Sequence, residues 1–128
     1  MNVCVTKAFT FDAAHNLTNY KGKCEALHGH TYRLEVTVCG KLGQLDNGLL
    51  MDFGDLKELV SREVLSKLDH SYLNDHFEQP STELIAMWIF ETLKPHVDNL
   101  GLTLTSVKLF ETATSWVEIR KEASGDNE

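Results

Sequence analysis

The sequence predicts an α+β fold, a four-stranded antiparallel sheet with two helices on one face. Three observations predict it. Apolar residues alternate with polar ones at both ends of the chain, they recur every three or four residues through its middle, and turn-forming residues separate the two regimes.

From Asn2 to Ala14, Val3, Val5, Phe9, Phe11 and Ala13 share one parity, which is a period-2 strand. Asn16 to Gly29 is rich in Asn, Gly and Lys and reads as a loop. Alternation returns from His30 to Cys39, with Tyr32, Leu34, Val36 and Val38 facing one way, and this strand is expected to pair antiparallel with the first. Gly40 to Gly48 is turn-like. Asp52 then suits a helix N-cap, followed by Leu56, Leu59, Val60, Val64 and Leu68 at helical spacing. Pro80 and Ser81 open a second helix with Glu83 in its first turn, where the macrodipole favours an acid. Its apolar stripe is Leu84, Ile85, Trp88, Ile89 and Leu93, and Pro95 lies near its end. Thr103–Glu111 and Ser115–Lys121 close the chain as two strands around a turn at Thr112–Thr114. Such a sheet keeps two open edges, natural docking surfaces for identical subunits. A single domain over 1–121 and a frayed tail over 122–128 are expected.

The bulk numbers exclude several classes. A chain of 128 residues suits one domain with a real core. A formal charge of −7 argues against general nucleic-acid binding and against attraction to anionic membranes. The N-terminus lacks a basic start and a long apolar run, so no secretory signal is expected, and no segment has the ~18 apolar residues of a membrane span. Three cysteines, Cys4, Cys24 and Cys39, make no disulfide framework and suit a reducing cytoplasm. Cys4 and Cys39, within strands, fit small buried hydrophobes.

The chemistry gathers in CEALHGH, residues 24–30. In an extended chain, positions i and i+2 project to one side, so His28 and His30 can aim at one point. His15 ends the first strand on the parity of Phe9 and Phe11 and can arrive beside them. Three neutral imidazoles with an open fourth position describe a catalytic zinc site, whereas structural zinc favours four cysteine-rich ligands. The bland alternative is a set of surface or capped histidines. Cys24, between Lys23 and Glu25, is badly placed for a core residue; a thiolate near zinc could serve as a general base. In LDHSYLND, Asp69 could orient His70 as a proton carrier, or the pair simply ends a helix. Glu111 has the parity of Val107 and Leu109, and a carboxylate on that face should be paired or useful. It could accept two parallel hydrogen bonds from the N–H/NH₂ edge of a pterin or guanine.

In order, FDAAHNL, CxxxHGHTY, GLLMDFGDLK, LDHSYLND, PSTELIAMWI and LFETATS span essentially the whole chain, which resembles the 6-pyruvoyltetrahydropterin and 6-carboxytetrahydropterin synthase family of the tunnelling fold. The resemblance implies zinc held by His15, His28 and His30, Cys24 as base, Asp69 and His70 completing proton transfer, and Glu111 anchoring the pterin. Ser81 and Thr82 match a segment lining the pterin pocket. It implies trimers whose sheets close into a barrel, stacked as a homohexamer, with active sites between subunits, so that Asp69 and His70 can serve a neighbour's Cys24. The implied substrate is 7,8-dihydroneopterin triphosphate. The short CxxxHGH spacing resembles the branch that forms 6-carboxy-5,6,7,8-tetrahydropterin, acetaldehyde and triphosphate for queuosine synthesis, rather than 6-pyruvoyltetrahydropterin synthase. Glu25 resembles the glutamate of a subgroup that releases 6-hydroxymethyl-7,8-dihydropterin for folate, which suggests a dual function; the alternative is a solvated loop acid beside Lys23. Lys7, Lys21, Lys23, Lys108 and Arg120 are the cations expected to meet the triphosphate, in a pocket more positive than the average surface.

Overall fold

A computed structural model of the chain describes residues 1–19, 21 and 25–122. Strands β1 (Asn2–His15) and β2 (His28–Lys41) run antiparallel in unbroken register, from Asn2 opposite Lys41 to His15 opposite His28. Helix α1 (Phe53–Val60) follows, then a π-helical stretch (Ser61–Leu65) and a last turn, α2 (Ser66–Leu68). Next come a two-residue strand β3 (Ser71–Tyr72), a 3-10 turn (Leu73–Asp75) and helix α3 (Thr82–Asn99). Strands β4 (Thr103–Thr112) and β5 (Ser115–Arg120) complete the sheet, whose order is β3-β1-β2-β4-β5.

The four expected long strands are antiparallel neighbours, and β3 adds a short parallel edge against Ala13 and Ala14. Alternation decides the faces. Phe9, Phe11, Ala13, Tyr32, Leu34, Val36, Val38, Val107 and Leu109 are buried together with the helical residues Leu56, Val60, Val64, Ile85, Ile89 and Leu93. Asp52 caps α1 by accepting from Gly54 N, and Ser81 caps α3 by accepting from Leu84 N, so both helices begin where a side-chain oxygen satisfies a free amide. Leu84 departs from the expected stripe and is exposed. The buried face of α3 runs through Ile85, Ile89, Leu93 and Val97 at four-residue spacing, and Leu84 lies off it.

Cys4 and Cys39 correct the sequence reading. They are not buried hydrophobes: they sit opposite each other on the face away from the helices, joined as a disulfide. The bond is the oxidised form of a facing cysteine pair that a reducing cytoplasm would hold as two thiols. Among the described residues, no helix is long and apolar enough to cross a membrane. The tail expected over 122–128 lies, beyond Glu122, outside the described residues.

Candidate functional site

The β1–β2 register puts His15 directly opposite His28, and Ala13 opposite His30. All three imidazoles therefore point to the helix-covered face at one end of the ribbon. Their ring centroids form a triangle with sides of 4.7, 4.8 and 5.1 Å. One nitrogen from each lies within 4.8 Å of the others. Burial is graded: His15 is 1% exposed, His30 18% and His28 37%, so the cluster opens toward the loop side.

Backbone carbonyls fix two of the tautomers. His15 Nδ1 donates to Pro80 O at 2.8 Å, and His28 Nδ1 donates to Ala26 O at 2.8 Å. In both rings Nε2 is left with a lone pair, the form in which imidazole binds a metal. His15 Nε2 and His30 Nε2 are buried without a hydrogen-bond partner. Burial lowers the pKa of His30, and its imidazole neighbours push the same way against the opposing pull of Glu111, so His30 favours the neutral form. A divalent cation is the group that satisfies such a set, and nitrogen donors of this kind fit zinc.

Two acids flank the trio. Glu111 Oε2 lies 3.6 Å from His15 Nε2 and 3.9 Å from His30 Nε2, and it accepts a 3.0 Å hydrogen bond from Thr82 Oγ1. Thr82 is the first residue of α3, so the Ser81–Thr82 pair divides its duties: Ser81 caps the helix and Thr82 holds the carboxylate. Glu25 lies 3.9 Å from His28 Nδ1 and accepts from Leu17 N at 3.1 Å. Its carboxylate is thus tied to the loop backbone rather than left to solvent. Behind the trio, Tyr32 is fully buried against Phe11, with its hydroxyl 3.4 Å from His15 Nδ1; burial, helped by Glu111 and Glu25, raises its pKa.

Asp69 and His70 do pair, Oδ1 to Nδ1 at 2.9 Å, but in a different place. They gather with Asp12, whose side chain alternates to the face opposite His15 and accepts from Thr31 Oγ1 at 2.5 Å. Asp12 holds the dyad through its backbone as well: its N–H donates to Asp69 Oδ1 at 3.0 Å, and its carbonyl accepts from His70 N at 2.6 Å. His70 has φ +59°, a left-handed conformation costly for a residue with a Cβ, and it lines an open groove with Asp12, Gly29, Thr31 and Ser71. Cys24 and Lys23 lie outside the described residues. Of the other cations named from sequence, Arg120 pairs with Glu118 on β5, and Lys108 is opposite Glu118 in the β4–β5 ladder, away from the trio.

The sequence reading missed a set of polar clamps on the chain leaving His15. Asn16 N donates to Asn74 Oδ1 and Asn74 Nδ2 donates to Asn16 O, at 3.0 and 2.9 Å. Thr18 makes the same reciprocal pair with Gln79, at 2.8 and 3.1 Å. Between them, Leu17 donates to Glu25 Oε1 and accepts from Glu25 N. Every backbone donor and acceptor of residues 16–18 is therefore satisfied outside the sheet. Nothing local in sequence signals pairs 58 and 61 residues apart.

The pattern of the family described as 6-pyruvoyl tetrahydropterin synthase matches residues 4–122. A relative from Synechocystis, named 6-carboxy-5,6,7,8-tetrahydropterin synthase, is 42% identical, covering 87% of this chain and 88% of its own. One from Pyrococcus furiosus, named dihydroneopterin monophosphate aldolase, is 38% identical over 86% of this chain and 90% of its own. The solved 6-pyruvoyl tetrahydropterin synthase of Caenorhabditis elegans superposes with a TM-score of 0.78 at 24% identity, covering 95% of this chain and 97% of that one, a likeness of fold.

Proposed function

Because the chain belongs to the 6-pyruvoyl tetrahydropterin synthase family, an enzyme family acting on pterins, we propose that it is a zinc-dependent synthase that converts 7,8-dihydroneopterin triphosphate to 6-carboxy-5,6,7,8-tetrahydropterin, releasing acetaldehyde and triphosphate on the route to queuosine. The observation that carries this reading is the imidazole trio with its two buried, unpartnered Nε2 atoms. The name of the Synechocystis relative supports the choice of reaction.

His15, His28 and His30 would hold the ion, and zinc bound there would polarise hydroxyl-bearing carbons as a Lewis acid. Glu111, on the same face, grips the N–H/NH₂ edge of the pterin with two parallel bonds. Thr82 orients that carboxylate, and Ser81 fixes the start of the helix that carries Thr82. Cys24 takes and returns protons at C1′ and C2′ of the side chain. His70 is its proton partner, with Asp69 setting its tautomer. The dyad and the trio lie on opposite faces of one sheet, which supports the expectation that each dyad serves a neighbouring subunit. That requires the sheets to close edge to edge in a trimer, with two trimers forming a hexamer. The catalytic unit is the single domain over 1–121, working in the cytoplasm.

A second reading has its own support. Among the described residues, the charged side chains paired with the trio are the acids Glu25 and Glu111, an unfavourable setting for a triphosphate unless Lys21, Lys23 or a neighbouring subunit supplies positive charge. The Pyrococcus relative is named for a monophosphate substrate and an aldolase reaction. Under this reading the enzyme cleaves the side chain to give 6-hydroxymethyl-7,8-dihydropterin, with Glu25 taking part, alone or beside the first activity. Incubation of the zinc-loaded protein with dihydroneopterin, its monophosphate and its triphosphate, followed by mass identification of products, decides between them. Carboxytetrahydropterin from the triphosphate supports the first reading; hydroxymethyl-dihydropterin alone replaces it with the second; turnover of none refutes both.

A further inference from the structure

A cavity of about 520 Å³ lies between α1 and the end of α3, far from the imidazoles. Its floor is apolar: Leu59 is buried, and Leu50, Met51 and Leu102 are half-buried. Gly40 of β2 lets that floor lie close, since a Cβ there would come within 2.7–2.9 Å of Leu50, Gln44 and Leu102. Twelve positions of β2 separate Gly40 from His28, roughly 40 Å of strand at about 3.3 Å per residue.

Both walls depart from regular helix where they face this space. In the π-helical stretch, Ser61 O accepts from Ser66 N, five residues on, and Arg62 of that stretch reaches the rim. Insertions of this kind recur at functional sites. In α3, Pro95 has no N–H to give to the preceding turn, and His96, also on the rim, follows it. The two irregular segments meet there. His96 Nε2 lies 3.4 Å from Glu63 Oε1, and Glu63 Oε2 accepts from Arg62 Nε at 2.9 Å.

The rim is electrostatically one-sided. Its cationic groups are engaged by Glu63, whose carboxyl the Arg62 hydrogen bond holds below the usual carboxylate range. Glu58 has only a loose contact with Arg62 at 3.6 Å and is 77% exposed. Asp55, in the first turn of α1, offsets that helix's positive end and has no side-chain partner among the described residues. The last turn of the eighteen-residue α3 brings its negative end to the same rim at Asn99. A space of this size between helices, with an apolar floor and a few convergent polar groups, has the form of a small-molecule site.

We propose that this cavity binds a small organic ammonium ion with an apolar body, an arylalkylamine in size, its ring on the leucine floor and its head at Asp55 and Glu58. The site goes beyond the pterin chemistry above and does not rest on it. An anion of the same shape would meet two acids and a helix C-terminus, and is disfavoured.

The test titrates 2-phenylethylamine into the ¹⁵N-labelled full chain and follows amide shifts, with phenylacetate as the anion of matching ring. The amine should saturate shifts at Leu59, Arg62, His96 and Leu102 while leaving His28 and His30 unmoved. Phenylacetate should bind at least about tenfold more weakly. Glu58→Lys, at an exposed position where circular dichroism should show an unaltered fold, should weaken the amine about tenfold, and Asp55→Asn several-fold. Four results would each overturn the proposal: no saturable shift up to the solubility of the amine, shifts centred elsewhere, equal binding of the two probes, or unchanged amine affinity in folded Glu58→Lys.

Discussion

Asn74→Ala tests whether the clamps on residues 16–18 hold the site together. The substitution removes both hydrogen bonds between the Asn74 amide and the Asn16 backbone, which is partly buried. Each such bond contributes about 0.5–1.5 kcal/mol net, so the pair is worth about 2 kcal/mol. For 128 residues, an unfolding entropy of about 2.1 cal/mol/K per residue gives roughly 0.27 kcal/mol/K, and the loss becomes a fall in Tm of about 7 °C. The structure also predicts an order among variants. Asn74→Asp keeps an acceptor for Asn16 N but sets a carboxylate oxygen against the Asn16 carbonyl, so it should destabilise at least as much as the alanine. The assays are thermal unfolding and amide hydrogen exchange at Asn16, whose protection should fall in both variants. A Tm within about 1 °C of wild type, with Asn16 exchange unchanged, would refute the assignment of these bonds as supports.

Three further outcomes follow from other parts of the molecule. The Cys4–Cys39 bond closes a separation of 35 residues, for which chain entropy gives at most about 3.8 kcal/mol, so reduction or a Cys4→Ser/Cys39→Ser pair should lower Tm by up to about 14 °C; a melt insensitive to reductant would show the β1–β2 ladder to be sufficient alone. Tyr32 has a raised pKa from burial: the unfolded chain releases this proton near pH 10 while the folded one keeps it, so the contribution is intact below pH 10 and lost as pH rises, by up to about 1.36 kcal/mol per unit. Thermal melts of Tyr32→Phe should therefore depend less on pH above 10 than wild type, and identical slopes would contradict the burial argument. At His70, with φ +59°, glycine should melt at or above wild type and alanine below it, both without turnover; a glycine variant that melts lower would show that the Asp69 contact outweighs the backbone strain.

The sheet was legible in sequence because its alternation is strong, and its inner face is the one that Phe9, Phe11, Tyr32, Leu34 and Val36 announce. The convergence of the imidazoles was legible for the same reason, since parity and strand ends place His15, His28 and His30 without any knowledge of loops. The cysteines show where pattern stops. Cys4 has the parity of Thr6 and Thr10, and Cys39 that of Thr37, so both belong to the open face; their meeting depends on register, which the long loop after His15 leaves undetermined. Strand β3 is two residues pinned by tertiary pairing, too short to carry a period. Asp69 and His70 were readable as a pair but not as residents of the opposite face, because a helix end gives no direction to the chain that leaves it. Asn74 and Gln79 imitate a neighbouring strand with side-chain amides, and that role has no periodic signature.

The β1–β2 ribbon has fourteen facing pairs, with the Cys4–Cys39 bond near one tip and the facing imidazoles of His15 and His28 at the other. Sliding one arm by a single place would separate both couples at once and turn the imidazoles of that arm to the wrong side. Such a ribbon resembles a ruler clipped at its sulfur end. A reductant would undo that clip and leave the ladder alone to keep its graduations aligned at the imidazoles.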